Sequence, residues 1–296
     1  MTSKNGYLVV GGDSLVGGGL FRALERCGHT ALVSTRRRDT LNDRRIYLDF
    51  ESDAAFRVPA GIDYVFIVAA ATNYDRCEKD PLAHRINAEL IPRLVVSLLE
   101  QRVFVTFIST NSVFGGERPW PHEEDPHAPG IAYARQKDEA ERVIRAAIHG
   151  TKAEARFNIV RLTKILDRDT SPLPNWFAAW KRSEVVQPFS DLIFAPMTVR
   201  FVGEALATIG EKRIPGDLHL SGAENVSYVE FALSLARKLG VDQRLIVPTT
   251  SEEKGVSIPF KPRYSGLGMR RTTGLSGILP QTIDDVARDL TEQHIE

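Results

Sequence analysis

Cysteine is scarce in this sequence, and neither sign of charge is in excess. The two cysteines, Cys27 and Cys77, fall in different predicted elements without the spacing of metal ligands. They argue against a disulfide framework and predict two ordinary thiols and no metal site. Because 38 basic residues balance 38 acidic ones, the composition predicts neither a nucleic-acid partner nor a membrane-surface partner.

Long hydrophobic runs are also missing. No apolar segment approaches the roughly 20 residues that a membrane span requires. The first residues lack the apolar core and the cleavage site of a signal peptide. We therefore expect a cytoplasmic protein. Hydrophobic residues still make up 43% of the 296 positions, which is enough for a sizeable core.

Short apolar runs alternate with segments of helical periodicity through the first half of the chain. Six runs predict strands, at residues 7–10, 30–35, 45–50, 64–71, 103–108 and 157–162. Strands that alternate with helices predict an α/β fold with a doubly wound parallel sheet. After about residue 165 the alternation weakens and prolines divide the chain, which predicts a smaller C-terminal substrate-binding lobe.

Capping residues and prolines predict where several helices begin, end or kink. The first predicted helix carries Cys27 on its apolar stripe and ends at Gly28. Another helix is predicted to begin with Asp80 as N-cap and Pro81 at its first position. Pro92 should kink that helix. The isolated Tyr74 and His84 are predicted to be structural.

A glycine-rich loop, GGDSLVG at residues 11–17, lies between the first strand and the first helix. At this point of a parallel sheet, a dinucleotide pyrophosphate rests on a helix N-terminus. Gly11 and Gly17 hold the outer positions of a G-x-x-G-x-x-G pattern, and Ser14 replaces the middle glycine. The Ser14 hydroxyl could donate to a phosphate, whereas Asp13 adds a negative charge. A plain strand-to-helix turn is the alternative.

The end of the second strand indicates the nucleotide. An NAD site usually has an acidic residue there, but this chain continues from Thr35 to Arg36 and Arg37. An arginine can chelate a 2′-phosphate, and no carboxylate stands in this segment to repel it. The sequence thus predicts NADP(H) in preference to NAD(H), with a solvated basic loop as the alternative. Asp49 fits either an adenine contact or a turn.

A tyrosine and a lysine, Tyr133 and Lys137, stand four residues apart in a predicted helix. This spacing puts both side chains on one helix face, the geometry of a proton donor and its charged neighbour. A hydroxyl-rich segment that includes Thr110 follows the fifth predicted strand, at the edge where parallel strands present their carboxyl ends. A surface pair and a capping threonine are the alternative interpretations.

With these motifs in order, the sequence resembles the extended short-chain dehydrogenase/reductases, within them the dTDP-4-dehydrorhamnose reductase-like branch, over nearly its whole length. Segments that match in order are ISTNSVFG at 108–115, KDEAE at 137–141, GDLHLSG at 216–222 and KPRYS at 261–265. The first is similar to the family's STDYVF segment, and Thr110 falls at its catalytic hydroxyl. Asn111 and Ser112 replace the family's aspartate and tyrosine.

The resemblance implies a Rossmann sheet in a dinucleotide-binding domain at 1–165, completed by about 191–222, and a substrate lobe at 166–190 and 223–296. It implies that NADPH reduces a keto group of a nucleotide-linked sugar, with Tyr133 as proton donor and Thr110 on the carbonyl. Lys137 would lower the pKa of the phenol and hold the nicotinamide ribose.

The predicted sites are larger than this trio. The cofactor set is Gly11, Asp13, Ser14, Leu15, Val16, Gly17, Thr35, Arg36, Arg37, Asp49, Phe50, Ala69, Ala70, Ala71, Asn87, Tyr133, Lys137 and Leu162. The substrate set is Thr72, Asn111, Ser112, Lys164, Asn175 and Arg263. Trp176, Phe177 and Trp180 have helical spacing and are predicted to belong to the core instead.

Two other functions stay open. One is an NAD-dependent sugar-nucleotide epimerase or dehydratase, against which Arg36 counts. The other is a non-catalytic NADP-binding regulatory subunit, which Ser14 favours and the catalytic-type trio opposes. The sequence names neither the sugar, the nucleotide nor the stereochemistry, and it leaves the assembly open, with a homodimer among the options.

Overall fold

The computed structural model describes residues 6–51 and 56–292. Its strands are β1 Gly6–Val10, β2 Thr30–Thr35, β3 Arg45–Tyr47, β4 Tyr64–Ile67, β5 Phe104–Thr110, β6 Phe157–Leu162, β7 Lys164–Leu166, β8 Ile193–Phe194, β9 Pro196–Thr198, β10 Gly216–Leu220 and β11 Val226–Ser227. Its α-helices are α1 Leu15–Arg26, α2 Tyr74–Lys79, α3 Pro81–His84, α4 Ile91–Glu100, α5 Ala132–Ile148, α6 Leu173–Lys181, α7 Val199–Lys212, α8 Tyr228–Leu239, α9 Arg270–Ser276 and α10 Ile283–Glu292. Short 3₁₀ turns stand at Arg38–Thr40, Asn111–Phe114, Glu154–Arg156 and Gln243–Leu245.

Seven strands form one parallel sheet in the order β10-β6-β5-β4-β1-β2-β3. The order reverses direction at β1 and β4, so the sheet is doubly wound, as the sequence predicts. Ligands of such sheets bind beyond the carboxyl ends of the strands, at the point where the order reverses. The fold therefore directs attention to the segments that follow β1, β4, β5 and β6.

The predicted strands differ from the observed ones mainly at their ends. β3 stops at Tyr47 rather than at residue 50, and β4 stops at Ile67 rather than at residue 71. After β4 the chain crosses close to Gly11, where the backbone of Ala69 lies against the glycine loop. Pairing thus ends because the chain turns toward the loop, although the apolar run continues.

Helices cover both faces of the sheet. One face packs on α1 and α7, and the other packs on α4 and α5. The residues that fill the first layer include Leu20, Leu24, Val202, Leu206 and Ile209, and those of the second include Ile91, Val95, Leu98, Ala140 and Ile144. Strands buried on both faces explain why the sequence shows continuous apolar runs instead of alternation.

The helix predictions are confirmed in part. Asp80 accepts a hydrogen bond from the Leu82 amide, and Pro81 opens α3. The expected irregularity at Pro92 takes the form of a π-helix, Arg85–Leu90, directly before α4. Proline has no amide hydrogen to donate and its ring crowds the preceding turn, so a wider turn is favoured there. Cys27 was wrongly assigned to the buried stripe, because it caps α1 and is exposed.

A separate core lies between α6, α8 and α10. Trp176 and Trp180 are buried in it, as the helical spacing predicted, and Phe231 fills its centre. Within residues 191–222, α7 and β10 join the large sheet and its helical layer, whereas β8 pairs with β11. The domain limits stay a prediction. Within the described ranges, no helix is long and apolar enough to cross a membrane.

A buried ion pair ties α5 to the sheet. The side chains of Arg161 on β6 and Glu141 on α5 are each 1% exposed, and Arg161 Nη2 lies 2.7 Å from Glu141 Oε2. Arg161 also donates to Asp217 on β10, at 3.0 Å, and to the carbonyl oxygen of Glu123. The hydrogen bonds of Arg161 thus hold α5 against the sheet at β6, the strand next to β5.

Glu141→Ala should destabilise the protein by about 3–5 kcal/mol, because removal of one partner leaves a buried charge without its main counter-ion. Glu139→Ala is the matched control: the same change, two residues earlier on α5, removes a half-exposed carboxylate paired with His84 and should cost at most about 1 kcal/mol. Urea unfolding of both variants measures the difference. Equal losses would show that the buried pair does not anchor α5.

Candidate active site

The glycine loop follows a backbone path that its glycines make possible. Gly11 has a φ of +100°, and a Cβ there would lie 2.7 Å from the Ala69 nitrogen. A Cβ on Gly17 would lie 2.2 Å from the carbonyl oxygen of Gly11. The first position needs glycine for its conformation and the second for close approach. The loop therefore fits the cradle that a dinucleotide pyrophosphate requires.

Ser14 serves the loop itself. Its Oγ donates to the Gly11 carbonyl at 2.8 Å and accepts from the Gly17 amide at 3.0 Å, so that it is the N-cap of α1. The sequence instead predicted a hydroxyl free to donate to a phosphate. Ser14 directly precedes α1, where a serine side chain commonly satisfies one of the first helical amides.

The position of Asp13 corrects the prediction that no carboxylate stands at the end of β2. The amide of Gly12 bonds to Ser34 O at 3.0 Å, which brings Asp13 beside the end of β2. Thr35 donates to the Asp13 carboxylate at 2.6 Å, Arg37 lies 3.0 Å from it, and Arg45 also pairs with it. A carboxylate thus does stand at the end of β2, supplied by the loop and not by the strand.

One cleft of about 880 Å³ runs beyond the carboxyl ends of the strands. It unites the glycine loop, the segments after β4, β5 and β6, and the C-terminal lobe. The predicted site residues that line it are Ser14, Leu15, Val16, Ala70, Thr72, Thr110, Asn111, Tyr133, Lys137, Leu162 and Lys164. The sequence therefore identified members from each of these segments of the sheet's edge.

Other predicted residues do not line this cleft: Gly11, Asp13, Gly17, Thr35, Arg36, Arg37, Asp49, Phe50, Ala69, Ala71, Asn87, Ser112, Asn175 and Arg263. One of them, Asn87, holds the backbone beside residues that line the cleft. Asn87 is buried, and its amide group donates to the Ala71 carbonyl and accepts from the Ala71 nitrogen, at 2.8 and 2.9 Å. Asn175 is exposed on α6, and the Arg263 guanidinium lies over the Tyr264 ring, 5.4 Å from its centroid.

The hydroxyl segment after β5 is held together by its own contacts. Thr110 Oγ1 lies 3.0 Å from Ser112 Oγ and accepts from the Ser112 amide at 3.2 Å. Asn111 Nδ2 donates to the carbonyl and the hydroxyl of Ser265, at 2.8 and 3.0 Å. Asn111, which was predicted for substrate, thus joins this segment to the C-terminal lobe. Both Ser109 and Thr110 line the cleft.

Lys137 is almost completely buried, at 2% exposure. Its Nζ donates to the carbonyl of Ile108 at 2.6 Å and lies 3.9 Å from the centroid of the Phe107 ring. Burial lowers the pKa of Lys137 to about 7, and the nearby Glu141 carboxylate offsets only part of that effect. Glu141 is already paired with Arg161, so little of its charge compensates the lysine.

Tyr133 stands at the cleft wall, one helical turn before Lys137. Burial raises the pKa of Tyr133 above its ordinary value, and Tyr74 and Cys77 raise it further. The sequence predicted the opposite direction, from the charge of Lys137. Lysine does not dominate here because its Nζ is directed to Ile108, and desolvation of the phenolate is the larger effect.

Aromatic residues that the sequence did not assign to the site complete the cleft. The rings of Tyr74 and Tyr133 lie 5.7 Å apart, and both line the cleft; the structural role predicted for Tyr74 stays a prediction. Tyr228 and Phe194, whose stacked rings have centroids 4.3 Å apart, line the cleft from the side of the separate core between α6, α8 and α10. Their sequence positions are too far apart for any local pattern to indicate a shared wall.

The parallel sheet, the glycine loop and the Tyr-Lys helix beside one cleft define an extended short-chain dehydrogenase/reductase, a class of NAD(P)-dependent oxidoreductases. Residues 6–293 match the family model described as RmlD substrate binding domain, and the chain belongs to that family.

Similar proteins extend over most of the chain. It is 26% identical over 291 residues to the spore coat polysaccharide biosynthesis protein SpsK of Bacillus subtilis (strain 168), covering 97% of this chain and 96% of that protein. It is 26% identical over 281 residues to a dTDP-4-dehydrorhamnose reductase of Mycolicibacterium smegmatis, covering 92% and 80%. A dTDP-4-dehydrorhamnose reductase of Bacillus anthracis, solved in complex with NADP, shares the fold with a TM-score of 0.79 at 20% identity, covering 98% and 100%.

Lys137→Met should stabilise the protein measured without dinucleotide, and more at pH 6 than at pH 9. Below pH 7 the lysine is charged in both folded and unfolded states, so the full cost of burial applies. Between the folded pKa of about 7 and the ordinary value of 10.5, only the unfolded state keeps the proton, and the cost falls as pH rises.

The measurement is the difference in the free energy of unfolding between variant and parent at each pH. Lys238→Met, which alters an exposed lysine on α8, should give a small difference with no pH dependence. The same gain for Lys137→Met at both pH values would contradict the lowered pKa.

Proposed function

We propose that this protein reduces a keto group of a nucleotide-linked sugar with NADPH. The observation that carries the proposal is that Thr110, Tyr133 and Lys137 line the same cleft as the glycine loop. A hydroxyl, a phenol and an amine are the groups that orient a carbonyl, protonate it and stabilise the phenolate that remains. The names of the relatives point to dTDP-linked keto-sugars as substrates.

Tyr133 supplies the proton in this proposal. A general acid must carry its proton at the working pH, and the raised pKa of Tyr133 keeps the phenol protonated. When bound, the reduced nicotinamide supplies the hydride. Proton transfer leaves a phenolate in a desolvated place, which needs a positive charge nearby. Lys137, one turn away on the same face of α5, provides it.

Thr110 and Lys164 divide the remaining tasks. The Thr110 hydroxyl faces the cleft at the end of β5 and hydrogen-bonds the reacting carbonyl. Lys164 lies beyond the end of β6, lines the same cleft and has no ion pair among residues 6–51 and 56–292. An unpaired ammonium in a cleft is suited to an anionic group, so we assign Lys164 to the diphosphate of the substrate.

NADPH is the proposed cofactor in preference to NADH. Arg36 follows β2 directly, is exposed, and forms no ion pair with any residue in the described part of the chain. Its guanidinium is therefore available to chelate a 2′-phosphate. Arg37 is less available, since it is paired with Asp13 at 3.0 Å.

Tyr133→Phe should lower turnover of the nucleotide keto-sugar by roughly 10² to 10⁴, the loss typical of a missing general acid, with NADPH affinity nearly unchanged. Single-turnover oxidation of NADPH and a separate binding titration measure the two effects. Tyr74→Phe is the matched control, because it removes the neighbouring phenol, 5.7 Å away ring to ring, and should cost far less. If the losses are reversed, Tyr74 is the acid and this assignment fails.

Arg36→Ala should remove most of an NADPH preference that we expect to be at least tenfold, or about 1.4 kcal/mol. Arg38→Ala is the control, since that guanidinium already lies over the Tyr47 ring, 3.8 Å from its centroid. Fluorescence titrations with NADPH and NADH give both ratios. Equal affinity of the parent for the two nucleotides would contradict the NADP assignment.

A further inference from the structure

The Asp13 carboxylate occupies a position with consequences for nucleotide choice. It is 29% exposed and contacts Thr35, Arg37 and Arg45 at the end of β2. Partial burial raises the pKa of Asp13, but the three hydrogen bonds outweigh that effect and the pKa lies below its ordinary value. The group is therefore fully ionised at neutral pH. It is a fixed negative charge in the region where the adenosine ribose of a bound dinucleotide lies.

The same carboxylate engages two of the arginines near the end of β2. Arg37 approaches Asp13 with both Nη2 and Nε, at 3.0 and 3.5 Å, and Arg45 reaches it from β3. A 2′-phosphate would have to draw these cations away from Asp13 or share them with it. Arg36, which makes no ion pair within the described residues, faces no such competition.

We infer that Asp13 is a specificity-determining residue that limits the preference for NADPH over NADH. It does so by repelling the 2′-phosphate and by competing with that phosphate for Arg37 and Arg45. NADH carries hydroxyls in place of the phosphate, so it is not repelled, and an ionised carboxylate can accept from such hydroxyls. The inference rests on the proposed function, because it concerns the same nucleotide site.

Asp13→Asn is the direct test, since it keeps the shape of the side chain and removes its charge. We expect it to tighten binding of NADPH about tenfold, whereas binding of NADH becomes no tighter. Adenosine 2′,5′-bisphosphate, which carries the 2′-phosphate without nicotinamide, should show the same gain, and 5′-ADP should show none. Calorimetric or fluorescence titration reads all four affinities without any turnover.

Two further variants make the test decisive. Asp39→Asn removes a carboxylate from the same region, one that has no ion pair within the described residues, and should change the NADPH to NADH ratio less than twofold. Asp13→Ser also removes the charge, and it replaces the asparagine variant if that variant does not fold. Both charge-removing changes at Asp13 should act alike.

The outcomes separate the two proposals. An unchanged ratio, or weaker NADPH binding, in an Asp13→Asn protein whose parent binds NADPH overturns the role of Asp13 and leaves the proposed reductase standing. An equal gain for Asp39→Asn overturns it too, because the effect is then one of net charge. A parent protein that binds neither dinucleotide overturns the proposed function, and this inference with it.

Discussion

The contact between Glu141 and Arg161 decides where the side chains proposed for catalysis lie. Tyr133, Lys137 and Glu141 follow one another at intervals of four, so they share one face of α5. Glu141 at the end of this row is bound to β6 through Arg161, at 2.7 Å, while Lys137 donates to the carbonyl of Ile108 near the end of strand β5. Contacts with two neighbouring strands, β5 and β6, thus fix the position of α5 against the sheet. The position of Tyr133 on the same helix face follows from these contacts.

In the same arrangement, burial of the charged Lys137 side chain lowers the stability of the folded protein. A lysine that is 2% exposed loses nearly all its hydration, and the nearest carboxylate is already engaged by an arginine. The low pKa follows from both facts. A negative group beside Lys137 would raise that pKa again, as the Tyr133 phenolate of the proposed mechanism would do. Such a cost is common where side chains are placed for chemistry rather than stability.

The sequence predicted the fold and the cleft better than it predicted the state of the groups within it. Short continuous apolar runs were sufficient to predict six strands, because a strand that is buried on both faces shows its burial within its own sequence. The Tyr133 and Lys137 pair and the segment around Thr110 were found because helical spacing and strand ends are also local. The pKa of Tyr133 was predicted in the wrong direction, since burial raises it, and so do Tyr74 and Cys77, which come from another helix. Asp13 was predicted at the cofactor loop, but its partners on β2, after β2 and on β3 were not, because they are distant in sequence.

Ser14 shows how a departure from a motif can leave its geometry intact. The middle glycine of the loop would be essential if the backbone there had a positive φ, but Ser14 has a φ of −82° and a ψ of 159°, values open to any residue. Its hydroxyl then caps α1, a task that favours serine over glycine. Glycine stands at the two positions that do require it, Gly11 and Gly17. Ser14 is therefore no sign of a decayed cofactor loop, and the interpretation of this chain as a non-catalytic subunit loses the observation that favoured it.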